Sequence, residues 1–198
     1  MATTRAHQKS ATHARVLDAA TQLFQTRGFA ATTVRDIAEV ADVSPGTVIA
    51  VGEKNALLVA VFDAIIAAEH ARRPVPPPTP ARAAHDRCAT RLAALVEPFV
   101  TLFTSHPELA RQYAAILVSG AHDSPLFTDL ADRLVAEFSA AITLRGCTAA
   151  ADAPATADAL YLAYVGTLFT GAAHPRVDRD ALMRGLHTTF TAICTCSE

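Results

Sequence analysis

Residues 32–54 read TTVRDIAEVADVSPGTVIAVGEK, and the spacing predicts two short helices across a tight turn. The first spans residues 34–40 with Thr33 at its cap. Val34, Ile37 and Ala38 recur at helical spacing, so one face packs inward. Ala41-Asp42-Val43 forms the turn, with Val43 as its apolar plug. Ser44 caps the second helix, and Pro45 takes its first position, where no backbone N–H is required. Two helices joined in this way make a helix-turn-helix, whose second helix can lie in the DNA major groove. A helical hairpin in any all-α protein carries the same local pattern.

The flanking residues predict more helix on both sides. Residues 1–8 are polar and are expected to fray. Residues 10–26 form a first helix with Val16, Leu17, Ala20, Leu23 and Phe24 on one stripe, ended by Gly28 in a left-handed conformation. Phe29 is expected to fold back onto the core. Residues 54–72 form a longer helix, with Leu57, Leu58, Val61, Phe62, Ile65 and Ile66 at i, i+3, i+4, i+7 spacing. The run PVPPPTP at residues 74–80 contains five prolines and cannot be helical. It reads as a stiff spacer between domains or as a surface loop within one body. Further helices are expected over residues 81–105, from 107 to about 118, over 125–144 and 156–172, and from 178 to about 194. Pro98 either kinks the first of these or divides it in two.

Composition narrows the class. Hydrophobic residues make up 51% of the 198, Trp is absent, and Ala, Leu and Arg recur while strand-like alternation is scarce. An all-α fold is expected, long enough for one domain and a smaller one. No apolar run has transmembrane length and the start lacks the apolar core of a signal peptide, so a cytoplasmic protein without a membrane partner is expected. Cys88, Cys147, Cys194 and Cys196 are too sparse for a disulfide scaffold and are expected to be reduced. The net charge is −2, unevenly spread. Residues 1–35 carry five bases (Arg5, Lys9, Arg15, Arg27, Arg35) against one acid (Asp18), while nine bases face twelve acids from Pro74 onward. A basic start suits phosphate.

Enzymatic signals are missing. There is no paired Glu with Glu-x-x-His, no Gly-rich phosphate loop and no nucleophile elbow. His122-Asp123 lies in a Gly/Ser/Pro segment and reads as a cap. No histidine pair has helical zinc spacing, so no metal, cofactor or catalytic residue is expected. Cys194-x-Cys196, with His187 nearby, leaves open a soft-metal or oxidant response.

The N-terminal third resembles the TetR family of bacterial transcriptional regulators. The resemblance rests on Arg15-Val16-Leu17-Asp18-Ala19-Ala20, Leu23-Phe24 and Gly28-Phe29, then Thr32 to Ala38, Ala41-Asp42-Val43-Ser44, Gly46-Thr47-Val48 and Lys54-Asn55-Ala56-Leu57-Leu58. It implies an N-terminal three-helix DNA-binding domain (residues 1–54), a connecting helix and Pro-rich linker (55–80), and a helical C-terminal domain for effector binding and dimerisation (81–198). The sequence departs from the family where members carry an aromatic in the recognition helix. Ile49 stands there, so a hydroxyl contact to phosphate is lost.

The partners so implied are a double-stranded DNA operator, a small-molecule effector and a second copy of the chain. On the DNA side, Thr33 caps the second helix and can meet a phosphate. Arg35 reaches a phosphate or a base edge. Ser44, Pro45, Gly46 and Thr47 open the recognition helix. Gly46 permits close backbone approach, and Thr47 offers a hydroxyl and a methyl. Val48 faces the core, and the resemblance implies a phosphate contact for Lys54. Candidates for the effector pocket are Phe99, Phe103, Tyr113, Leu117, Phe138 and Tyr164, although residues of these types more often serve ordinary core packing. Their lining suggests an apolar or aromatic effector. Family members dimerise through the last two helices, which here offer Leu160, Tyr161, Val165, Leu168, Met183, Leu186 and Phe190, with Gly166 and Gly171 allowing close approach. The resemblance implies a repressor, with a helical small-molecule binder lacking specific DNA binding as the rival.

Overall fold

The computed structural model describes residues 2–72, 88–144, 148–174 and 178–194. The Pro-rich run, the start expected at residue 81, the stop expected at Arg145-Gly146, Cys147 and Cys196 all lie outside the described residues. Among the described residues the chain is helical, in nine segments, and it divides into two compact units. Among the described residues no helix is long and apolar enough to cross a membrane.

The first unit holds residues 1–65 and 108–124. Its helices are α1 (Ala2–Arg27), α2 (Val34–Val40), α3 (Pro45–Val51), most of α4 (Lys54–Arg72) and α6 (Pro107–Ser119). Helix α1 starts at Ala2, where fraying was expected. Ala, Arg, Gln and Lys are good helix formers, and extending a helix already anchored downstream costs little per residue. The anchor is the buried stripe Val16, Ala19, Ala20, Leu23 and Phe24. Gly28 ends the helix at φ +82, a conformation that costs a side-chain-bearing residue about 1–2 kcal/mol. A Cβ there would also lie 2.6 Å from the Glu108 carboxylate, which accepts a hydrogen bond from the Ala30 N–H at 3.2 Å. Phe29 does fold back, its ring centroid 5.3 Å from that of Phe24.

Helix α6 closes this unit with buried Leu109, Ala110, Tyr113, Ala114 and Ile116. Tyr113 is fully buried against Phe62, with ring centroids 4.7 Å apart. Its hydroxyl donates to Asp63 Oδ1 at 2.7 Å. The buried Ser124 hydroxyl lies 2.9 and 2.8 Å from the two Asp63 oxygens. A carboxylate thus joins α4, α6 and the segment that follows α6.

The second unit holds residues 66–107 and 125–198, with the end of α4 and helices α5 (Cys88–Ser105), α7 (Pro125–Leu144), α8 (Ala153–Ala173) and α9 (Arg179–Ile193). Helix α5 runs unbroken through Pro98. Val96, Phe99, Val100 and Phe103 bury one face around the proline, and their burial, about 1.5–3 kcal/mol for each large side chain, offsets the hydrogen bond that proline removes. Phe138 of α7 meets Phe190 of α9 edge-on at 5.8 Å. At Gly171 of α8 an added Cβ would lie 2.8 Å from Leu182 of α9, so this glycine serves packing inside the protomer. Arg179 ties the start of α9 to α5 through Glu97 and through Thr101 Oγ1 at 2.9 Å.

Burial raises the Asp63 carboxyl above the usual carboxylate range, while the hydrogen bonds from Tyr113 and Ser124 act in the opposite direction. An acid with a raised folded pKa binds its proton more tightly in the native state. Its stabilising contribution is full below the unfolded value and is lost as pH rises through the folded value. Asp63→Asn, which cannot titrate, removes this dependence. The urea midpoint of the wild type minus that of the variant should therefore fall as pH rises from about 4 toward neutrality. A difference that rises instead would show that the hydrogen bonds outweigh desolvation.

Candidate nucleic-acid interface and ligand cavity

The helix-turn-helix is built from local hydrogen bonds. At the start of α2, the Thr33 N–H and hydroxyl donate to Asp36 Oδ2 at 2.8 and 2.7 Å, and the Asp36 N–H returns a bond to Thr33 Oγ1 at 3.2 Å. This is a capping box with Asp as its acid. The Thr33 hydroxyl and N–H hold the Asp36 carboxyl below its usual range, and Arg27 lies 3.6 Å away. At the end of α2, the Val43 N–H bonds to the Ala38 carbonyl and the Asp42 N–H to that of Glu39. That pair of bonds is a Schellman closure, with Asp42 in its left-handed position at φ 52. Ser44 follows at once, accepting from the Thr47 N–H at 3.1 Å, with Pro45 first in α3.

These two closures fix how α3 faces. Val48 is fully buried with Ile37, Ala38 and Ala41. The opposite face presents Gly46, Ile49 and Ala50, and Ile49 is 57% exposed. An added Cβ at Gly46 would meet nothing nearer than Ser44 Oγ at 3.8 Å. Thr47 Oγ1 lies 2.9 Å from Ser44 Oγ, so its hydroxyl is engaged within the cap. Ser44, Pro45 and Arg35 are exposed. Lys54 sets its Nζ 4.3 Å above the Phe29 ring, a cation–π contact. Residues 32–54 carry two bases (Arg35, Lys54) and four acids (Asp36, Glu39, Asp42, Glu53), net −2. The sequence reading passed over Asp36 and the backbone role of Asp42. Thr33-x-x-Asp36 was the signal for the first.

Residues 16–51 match the model of the bacterial regulatory proteins, tetR family. These residues form a TetR-family helix-turn-helix domain. The chain also matches solved structures along most of its length. One is the transcriptional regulator SCO7222, a TetR from Streptomyces coelicolor, at 20% identity and TM-score 0.62, covering 93% of this chain and 98% of that one. Another is a bacterial regulatory protein in the tetR family from Rhodococcus RHA1, at 23% identity and TM-score 0.53, covering 94% and 98%. At these identities the likeness carries the fold beyond the TetR domain and nothing more specific. No curated protein sequence matches the chain.

Outside the TetR domain, the second unit has a partly open apolar cavity of about 30 Å³. Phe99 and Phe103 of α5, Phe127 and Leu134 of α7, and Tyr161, Tyr164, Leu168 and Phe169 of α8 line it, with Ile66 from α4. The Phe127 and Phe169 ring centroids are 6.0 Å apart. Burial, and secondarily Asp132, pushes the Tyr161 hydroxyl up to about 12, so it stays a neutral donor at physiological pH. Ligand pockets usually measure about 300–1,000 Å³, so this cavity is small by that measure.

Of the six pocket candidates, Phe99, Phe103 and Tyr164 line this cavity. Phe138 packs on Phe190, while Tyr113 and Leu117 belong to the first unit. Among the seven interface candidates, Leu160, Leu186 and Phe190 are fully buried within one protomer. Tyr161, Val165 and Leu168 line the cavity, and Met183 is half-buried. The residues that α8 and α9 turn outward are others. Leu162 is 68% exposed, and a Cβ added at Gly166 or Gly185 would meet nothing within 4 Å. Period alone did not separate these faces, because α8 is apolar almost all round. Cys194 is buried, and the described residues contain no cluster of three or more His, Cys, Asp or Glu able to hold a metal.

Asp42 is the one non-glycine residue at positive φ among the described residues. Valine there is expected to cost about 1–2 kcal/mol, because a β-branched side chain resists the left-handed region. Glycine should match or exceed the wild type. Thermal melts of Asp42→Val and Asp42→Gly check this order, and equal losses in both would instead assign a role to the Asp42 carboxylate.

Proposed function

We propose that the chain is a dimeric, effector-responsive transcriptional regulator, acting as a repressor on a near-palindromic operator. DNA contact falls within residues 1–54, and effector and dimer contacts fall within 81–198, joined by 55–80. The observation that carries the reading is the doubly closed turn of the TetR domain. It buries Val48 and leaves Gly46, Ile49 and Ala50 open to a groove. Arg35, Ser44, Thr47 and Lys54 flank that face. A single small unit binds DNA too weakly for regulation, whereas a two-fold dimer sets two recognition helices about 34–36 Å apart, one turn of DNA.

The outward faces of α8 and α9 support the dimer. They carry Leu162 and the open Gly166 and Gly185, a surface that another copy can approach closely. The aromatic cavity supports the effector. A ligand that fits only after Phe127 and Phe169 move binds one conformation better than the other, and that difference is what shifts a two-state equilibrium.

Selection of bound DNA from a random duplex pool at two salt concentrations tests the core of the reading. Enrichment of a near-palindrome that survives the higher salt is expected. Unrelated sequences, all lost as salt rises, would reduce the interaction to phosphate attraction. Gly166→Arg should leave the helical content intact, yield monomers in sedimentation and weaken operator binding roughly tenfold or more through lost avidity. An effector that binds equally tightly with and without operator would exclude the proposed coupling.

A further inference from the structure

Helix α3 reads PGTVIAV, and it is poor in the groups that usually read base edges. Its single polar side chain, Thr47, is half-buried with its hydroxyl 2.9 Å from Ser44 Oγ. Val48 is buried completely. What α3 offers outward is hydrocarbon, the branched side chain of Ile49 and the methyl of Ala50, beside the bare backbone of Gly46. These three positions are spaced i, i+3, i+4 and share one face. With no side chain at Gly46, the helix can come close enough for Ile49 to touch the floor of a groove.

The charges around this face direct attention the same way. Residues 32–54 are net negative, Arg27 faces Asp36, and Lys54 lies over Phe29. Phosphate attraction from this stretch is therefore modest, and discrimination between sequences falls to contacts with the bases. In the major groove the one apolar group that any of the four bases presents is the C5-methyl of thymine.

We infer that α3 recognises thymine by its C5-methyl group, through Ile49 assisted by Ala50, and not through side-chain hydrogen bonds to base edges. This rests on the proposed major-groove binding and names what is read there. A consequence separates it from hydrogen-bond readout. 5-Methylcytosine carries the same methyl in the same place with a different exocyclic group, so the helix should accept it where it accepts thymine.

The test uses the full chain and an operator obtained by selection. Each thymine of a half-site is replaced in turn by deoxyuridine. One or two positions should each lose about fourfold in affinity, the worth of one buried methyl. At those positions a 5-methylcytosine·guanine pair should bind within about twofold of thymine·adenine, while unmethylated cytosine·guanine repeats the uridine loss. Ile49→Ala, a change on an exposed side chain, should keep its helical content and lose most of the uridine penalty. Specific binding with a flat uridine scan would overturn the inference alone, as would 5-methylcytosine behaving like cytosine. A protein that selects no sequence at all would overturn the proposed function and this inference together.

Discussion

The left-handed turn at Asp42 is the constraint on which the helix-turn-helix depends. Two backbone bonds close α2 over it, from Val43 to Ala38 and from Asp42 to Glu39, and the Ser44 cap opens α3 directly afterwards. No residue is left over to adjust the angle between the helices. A helix advances 100° per residue, so shifting the start of α3 by one position would turn Val48 out and Ile49 in. The chain spends an unfavourable φ at one residue to fix the direction of a whole face. Ile37, Ala38 and Val48 hold that direction by being buried together.

A different kind of constraint governs the second unit. Its cavity is small and almost wholly apolar. Large flat rings make up half of the lining residues, and rings can rotate about two torsions without disturbing the helices that bear them. Tyr161 adds a phenol that stays protonated, a donor in otherwise greasy surroundings.

Within the first unit, Asp63 is a carboxylate held by Tyr113 and Ser124, 50 and 61 positions away along the chain. Its burial opposes its charge while its hydrogen bonds favour it. Glu108, at the other end of α6, reaches Ala30 beside the glycine that ends α1. Both contacts bring a helix from the middle of the sequence into the unit that contains the TetR domain.

The sequence by itself determined whatever depends on neighbours a few residues away. Helix stops and starts at Gly28, Thr33, Ser44 and Pro45 follow from φ preference, missing N–H groups and short side-chain caps, and each stands where the sequence placed it. The buried position of Val48 and the all-helical fold follow from periodicity. Only the tertiary structure decided which apolar residue serves which purpose. Phe103 and Phe138 are alike in sequence context, yet one lines a cavity and the other meets Phe190. Gly166 and Gly171 lie on one helix, yet the first faces open space and the second accommodates Leu182. The membership of residues 108–124 in the first unit has no local signature either. Periodicity shows that a face is buried. What buries it is set by contacts between segments far apart in the chain, and no spacing within one helix encodes the partner.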